Sequence, residues 1–174
     1  MTDFSRAILS LQPQAQFVID PDNSLDNLVW HDENIPRPTD QEILDEADRL
    51  SITMALSKIR KAKELGGFTM PGGLGIPTDE KTERRIMGAY TKAQVDSNYS
   101  IASWTTDGGL THTALNATAI IAIGDAFDAH IQSCFDAEAA ITGNTYASIK
   151  LMEAAFDKAY DAAQDGRIAR VMRA

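Results

Sequence analysis

His130 and Cys134 stand four residues apart in a stretch of helical periodicity, a spacing that puts an imidazole and a thiol on one helix face. Such a pair is half of a zinc site; alternatively Cys134 is the nucleophile of a cysteine-dependent enzyme with His112 or His130 as its base. A closed zinc site needs further ligands. Cys134 is the only cysteine, and the other histidines, His31 and His112, sit in no cluster with the pair; no second Cys or His pair completes a coordination sphere, although Asp or Glu could contribute. As a nucleophile, Cys134 lacks a surrounding signature and lies where helix interiors seldom expose a thiol. The pair is therefore read as structural, with the cysteine acting as a small buried hydrophobe.

Other candidates for chemistry give way to simpler readings. Gly66-Gly67 and Gly72-Gly73-Leu74-Gly75 match no dinucleotide fingerprint, and no Lys-Ser or Lys-Thr follows them as a phosphate loop requires; they are read as turns. Asp125, Asp128, Asp136 and Glu138 share one helical stretch, but acid-base work needs convergent carboxylates rather than a solvated acidic face. Asp20, Asp22, Asn23 and Asp26 resemble a calcium loop without its central glycine and closing glutamate, and these residue types favour turns intrinsically. No catalytic, cofactor-binding or metal residue is assigned, no cofactor is expected, and the chain is read as not an enzyme.

The composition frames those absences. At 174 residues with 44% hydrophobic residues, the chain is long enough for one domain with a real core. A net charge of -9 repels phosphate backbones and anionic lipid, so neither nucleic acid nor membrane is expected as a partner. Lys58, Arg60, Lys61 and Lys63 lie at helical spacing and are read as a solvated helix face rather than a phosphate-binding stripe; the tail Arg167, Arg170, Arg173 is too short to alter this. One cysteine excludes an intrachain disulfide framework. The start, Met1 to Leu11, lacks the features of a signal peptide, and the longest apolar run, Ala119 to Ile123, falls far below the roughly 20 residues that cross a bilayer.

The elements that would position these residues are mainly helical with small β-hairpins, an α+β class. Ala15 to Asp20 and Asn27 to Asp32 read as a hairpin about the turn formers Pro21 to Ser24, too small to stand without support. Pro36 and Pro38 make a connector, and Thr39 or Asp40 with Glu42 starts a helix that runs to Leu65, before Gly66-Gly67. Its apolar face changes near Ser51, from Ile43, Ala47, Leu50 and Met54 to Ile52, Leu56, Ile59 and Ala62. That pattern fits one helix with different neighbours along its length, or two helices with a break. Two glycine-turn hairpins follow, Phe68 to Ile76 and Ser103 to Thr111 about Asp107-Gly108-Gly109. A helix containing Ile86, Ala89, Tyr90, Ala93 and Val95 lies between them, capped by Thr78 or Asp79. Asn116 caps the firmest helix, Ala117 to about Ile141, and Ser148 to Ala163 forms the last, with Ile149, Met152, Ala155, Phe156 and Ala159 inward. The predicted organisation is an N-terminal hairpin arm (1–38), a helical domain (39–142) and a C-terminal helical extension (143–174), the helical body having about four helices with two glycine-turn hairpins.

The order of segments through the middle of the chain is distinctive: Ile59-Arg60 before Gly66-Gly67-Phe68, then Gly75-Ile76-Pro77-Thr78-Asp79, then Trp104-Thr105-Thr106-Asp107-Gly108-Gly109, then His130-Ile131-Gln132-Ser133-Cys134-Phe135-Asp136-Ala137-Glu138. Over about residues 47–141 this resembles an uncharacterised domain family of tailed bacteriophages, encoded among tail and tail-fibre genes. The sequence departs from the family pattern after Ile141. The resemblance transfers no catalytic residue. It implies a virion protein made in the host cytoplasm, an accessory or structural component of the tail that contacts other tail or tail-fibre proteins. The alternative is a tail-fibre assembly chaperone absent from the mature virion. Self-association or docking through helical surface is expected from the residues themselves, since the Ile43, Ala47, Leu50 and Met54 face is distinct from the Leu56 and Ile59 face and one side is left over once the core forms. Physical chemistry gives the marked positions scaffold roles: Trp104 buries a ring, Asp79 caps a helix, and His130, Cys134 and Phe135 form one inward face.

Overall fold

The computed structural model describes residues 3–20, 22, 24–71, 73–106 and 111–171, with side chains throughout except at 106, 111, 112 and 168–171. Pro21, Asn23, Gly72, Asp107, Gly108, Gly109, Arg173 and the side chains of His112 and Arg170, all invoked above, lie outside this set. Among the described residues are five α-helices and three separate two-stranded antiparallel sheets, so the fold is mainly α with small hairpins. The chain divides into two compact units, Met1–Ala55 and Leu56–Ala174.

The first unit opens with a helix the sequence reading passed over, α1 (Phe4–Leu11), which makes five helices where about four were expected. Its start signal is an N-cap, with the Asp3 carboxylate accepting the Arg6 N–H at 3.0 Å. Phe4, Ala7, Ile8 and Leu11 then recur at helical spacing, and Ala7 and Ile8 are fully buried. The strands β1 (Phe17–Val18) and β2 (Val29–Trp30) pair Phe17 with Trp30, whose rings stack 6.2 Å apart. Between them Asp20 accepts from Ser24 N and Asn27 Nδ2, and Leu25–Asn27, which includes Asp26, forms a 3-10 turn. The hairpin is supported as its size requires: Phe17 and Trp30 pack with α1 against Ile43 and Ala47.

Ile43 and Ala47 belong to α2 (Asp40–Leu65), a single unbroken helix. Its start is a capping box: Glu42 N donates to Thr39 Oγ1 at 3.2 Å, and Thr39 N donates to Glu42 Oε2 at 2.7 Å. The change of apolar face near Ser51 now has its cause. The early face serves the core of the first unit, and Leu56, five residues on, is buried in the second.

In the second unit, the far half of α2 leads into β3 (Phe68–Thr69) and β4 (Gly75–Ile76), which pair Phe68 with Ile76. Gly67 is required at its place, since its φ is +76° and a Cβ there would lie 2.8 Å from the Ile76 carbonyl oxygen. Next comes α3 (Glu80–Val95), whose cap is Asp79, accepting from Thr82 N at 3.0 Å. The longer hairpin of β5 (Ser100–Thr106) and β6 (Thr111–Asn116) runs directly into α4 (Ala117–Ile141), where Asn116 accepts the Ala119 N–H at 2.9 Å. Ile86 of α3, Trp104 and Leu115 of the hairpin, and Ile120, Ile123 and Phe127 of α4 form its main core. The last helix, α5 (Ile149–Val171), is longer than the sequence suggested. It buries Met152, Phe156 and Tyr160, whereas Ile149, expected inward, is 60% exposed on its first turn.

Candidate functional site

The polar groups of the second unit converge where α2 ends. An α-helix leaves its last carbonyls without intrahelical donors, and Glu64 C=O is one of them. Two buried side chains serve it. The Thr78 hydroxyl, in the connection between β4 and α3, donates to this oxygen and also accepts the Gly67 N–H at 3.0 Å. From α4, His130 Nε2 lies 3.3 Å from the same oxygen. A carbonyl can only accept, so Nε2 carries the proton, Nδ1 is the acceptor, and the Tyr160 hydroxyl of α5 donates to Nδ1 at 2.6 Å. Phe68 of β3 stacks on the imidazole at 5.2 Å between centroids, and the Tyr160 ring meets it edge-on. His130 thus ties α2, α4 and α5 together at one point.

The electrostatics favour neutral groups. Burial pushes the His130 imidazole below its ordinary value, and burial pushes the Cys134 thiol up to about 11. Burial also raises the Tyr160 phenol. A thiol held protonated is a poor nucleophile. His130 has both ring nitrogens occupied, which leaves none to serve Cys134 as a base. Among the described residues no group of three or more His, Cys, Asp or Glu is arranged to hold a metal ion.

Around this centre lies a charged rim that the sequence reading took for a solvated face, and here it needs correction. Arg60 pairs with Glu64 at 2.5 Å, its Nε lies 2.7 Å from Glu138 Oε2 without hydrogen-bond alignment, and its guanidinium covers the Phe135 ring at 4.4 Å. Ser57 donates to the same Glu138 at 3.2 Å. Lys63 pairs with Asp157 at 2.9 Å and sits over the Tyr160 ring. Only Lys58 and Lys61 stay exposed. Phe135, expected inward beside His130 and Cys134, is 45% exposed and serves as the platform for Arg60. The acidic helix face is likewise partnered: Asp136 accepts from Arg167, and Asp125 accepts the Tyr90 hydroxyl at 2.8 Å, with Asp128 left exposed.

The remaining predicted positions lie elsewhere. Trp104 is buried in the main core, with Arg85 over its ring at 4.4 Å and its indole N–H without a partner among the described residues. His31 is exposed in the first unit. Sequence reasoning brought His130 and Cys134 to one helix face but missed Thr78, Tyr160 and the Glu64 carbonyl. A buried threonine just before an aspartate cap was visible as a pair of polar residues; a backbone acceptor leaves no trace in residue type.

The model of a protein family described as a domain of unknown function, DUF4376, matches residues 46–164. That segment contains α2 from its second turn, the polar joint and most of α5. No curated protein and no solved structure matches the chain.

Proposed function

The chain belongs to the family of the domain of unknown function DUF4376, and from that premise we propose that it works by protein-protein contact, as a non-enzymatic structural or accessory component of a bacteriophage tail. The reading starts from the resemblance of its segment order to a tail-associated family of tailed phages. One observation carries the non-enzymatic part: the marked polar residues spend their groups inside the fold. Thr78 and His130 hold the end of α2, Asp79 caps α3, and Cys134 is buried as a neutral thiol. Such residues build a rigid body that offers its outer surface to neighbours. Exposed apolar residues on the second unit, including Leu65, Val95, Ile149 and Leu151, supply contact area for them.

The test is quantitative mass spectrometry of purified particles of a phage that encodes the chain. A fixed copy number per tail supports a component of the virion. Presence in infected cells together with absence from mature particles overturns it and leaves the assembly chaperone, which binds a fibre or tail polypeptide and departs.

A further inference from the structure

Charge is divided unevenly between the two units. Met1–Ala55 has 11 acidic residues against 3 basic, and Leu56–Ala174 has 14 against 13, so the first unit carries -8 of the net charge of -9. In the second unit Glu64, Glu80, Asp136 and Asp157 each meet an Arg or Lys. The first unit leaves much of its charge uncompensated in one segment: between Ala7 and Pro36 stand Asp20, Asp22, Asp26, Asp32 and Glu33, with no Lys or Arg. Asp20 accepts from Ser24 and Asn27, and Asp32 accepts from the Asn34 and Ile35 N–H groups. Asp22, Asp26 and Glu33 are exposed, and their carboxylates have neither ion pair nor hydrogen bond among the described residues.

These acids flank an apolar sheet face. Alternation along β1 and β2 turns Phe17 and Trp30 into the core and Val18 and Val29 away from it. The two valines lie opposite each other, 55% and 50% exposed. The His31 N–H donates to the Gln16 carbonyl at 2.9 Å, which continues the pairing one step and adds the exposed Gln16 and His31 to the outward face. Solvent-facing positions of an antiparallel sheet are ordinarily polar, so the paired valines are an apolar surface without a cover. Asp20, Asp22 and Asp26 lie beyond its turn end, Asp32 and Glu33 beyond the other.

We propose that this hairpin face docks a cationic, extended segment of a partner protein, in which Lys or Arg alternates with apolar residues. The apolar side chains lie on Val18 and Val29, and the cations reach the carboxylates at the two ends. Charge selects the occupant. A second copy would bring the same uncompensated carboxylates together, and nucleic acid or anionic lipid would meet a unit of net charge -8. An uncharged apolar segment would cover the valines and leave the carboxylates without counter-charge. A cationic segment satisfies both. The inference rests on the reading of protein-protein contact above and supplies the chemistry of one partner. Particle mass spectrometry decides tail membership separately, so a chain found in virions whose hairpin ignores the peptide below fails here alone.

The test titrates the full chain with a capped octapeptide of alternating Lys and Val, read by backbone amide NMR shifts. Shifts should concentrate at Gln16, Val18, Val29 and His31, and binding should weaken as NaCl rises from roughly 0.05 to 0.5 M. A Lys-Ser octapeptide should bind at least about tenfold more weakly for want of apolar contact, and a Glu-Val octapeptide should not bind. The triple variant Asp22→Asn, Asp26→Asn, Glu33→Gln should weaken binding roughly tenfold, the sum of three exposed charge contacts. These side chains bond to nothing else among the described residues, so the fold is spared. Val18→Thr with Val29→Thr, which keeps the β-branched shape, should also weaken binding. Asp128→Asn, Glu153→Gln, Asp161→Asn removes as many exposed carboxylates from the second unit and should leave it unchanged. Absence of shifts at the hairpin, shifts spread evenly over the chain, equal binding of the Lys-Ser or Glu-Val peptide, or equal weakening by the second-unit variant would each overturn the proposal.

Discussion

The Tyr160 hydroxyl donates to His130 Nδ1 at 2.6 Å, and this bond fixes the last helix of the chain to the one before it through a histidine that also serves the end of α2. Tyr160→Phe deletes the donor and leaves a buried imidazole nitrogen without a partner. The expected loss is about 1–3 kcal/mol of unfolding free energy in urea denaturation. His130→Gln removes the stacking on Phe68 as well and should lose more. If Tyr160→Phe matches the wild type within a few tenths of a kcal/mol, the bond is not holding α5.

The same joint sets a pH response. Burial depresses the His130 pKa from its ordinary 6.5, with the Lys63 charge acting in the same direction and the nearby backbone acceptors opposing it. Below about pH 6.5 the unfolded chain takes up a proton that the folded chain refuses. Stability therefore falls as pH drops through that range, by at most about 1.4 kcal/mol per pH unit from this group. Cys134 acts at the other end: its thiol is held up to about 11 from an ordinary 9.0, so the unfolded chain ionises first and stability falls as pH rises between those values. Denaturation series over both ranges check this. His130→Gln should flatten the acid limb and leave the alkaline one; Cys134→Ala should leave the acid limb and remove the first part of the alkaline one, up to the ordinary tyrosine value of 10.0, above which Tyr160, its phenol also raised by burial, adds a loss of its own.

Trp104→Ala opens the main core where Ile86, Leu115, Ile120 and Ile123 meet, and should cost about 3–5 kcal/mol. Cys134→Ser places a hydroxyl in an apolar setting and should also destabilise. Wild-type chain prepared without chelators should contain no stoichiometric metal by elemental analysis. A fully stable Trp104→Ala protein, or one zinc per chain, contradicts the scaffold roles assigned to these residues.

At Gly124 of α4 the Tyr90 ring of α3 occupies the space a Cβ would take. Gly124→Ala must push that ring aside and break its hydrogen bond to Asp125. The expected cost is about 1–3 kcal/mol. In the double variant with Tyr90→Ala the clash disappears, so the two losses should sum to more than the double variant shows. Additive losses would place the strain elsewhere.

Much of this was legible in the residues. Asn116 followed by apolar positions every three to four residues announces α4, because period and cap are local properties of the chain. Thr39 with Glu42 announces the start of α2 for the same reason, and turn formers between β-prone runs announce the hairpins. The first helix was legible too, through Asp3 and the spacing of Phe4, Ala7, Ile8 and Leu11, although the hairpin beyond it dominated the reading of that segment.

What tertiary structure alone decided is who covers whom. The alternation of apolar faces along α2 is written in its sequence, but only the packed chain places Ile43 and Ala47 in the core of the first unit and buries Leu56 in the second. Helical spacing put Phe135 beside Cys134; in the packed chain it lies outward, and Arg60 comes from α2 to lie on its ring and to pair with Glu138. Above all, the hub of the polar joint is the Glu64 carbonyl oxygen, a group every residue possesses. Its role arises because α2 stops there and because Thr78 and His130, 14 and 66 residues further along, arrive with hydrogens to donate. Residue types and their periods determine which local elements form. Backbone acceptors and the pairing of distant side chains acquire meaning only once those elements are placed, since a hydrogen bond depends on position as much as on chemistry.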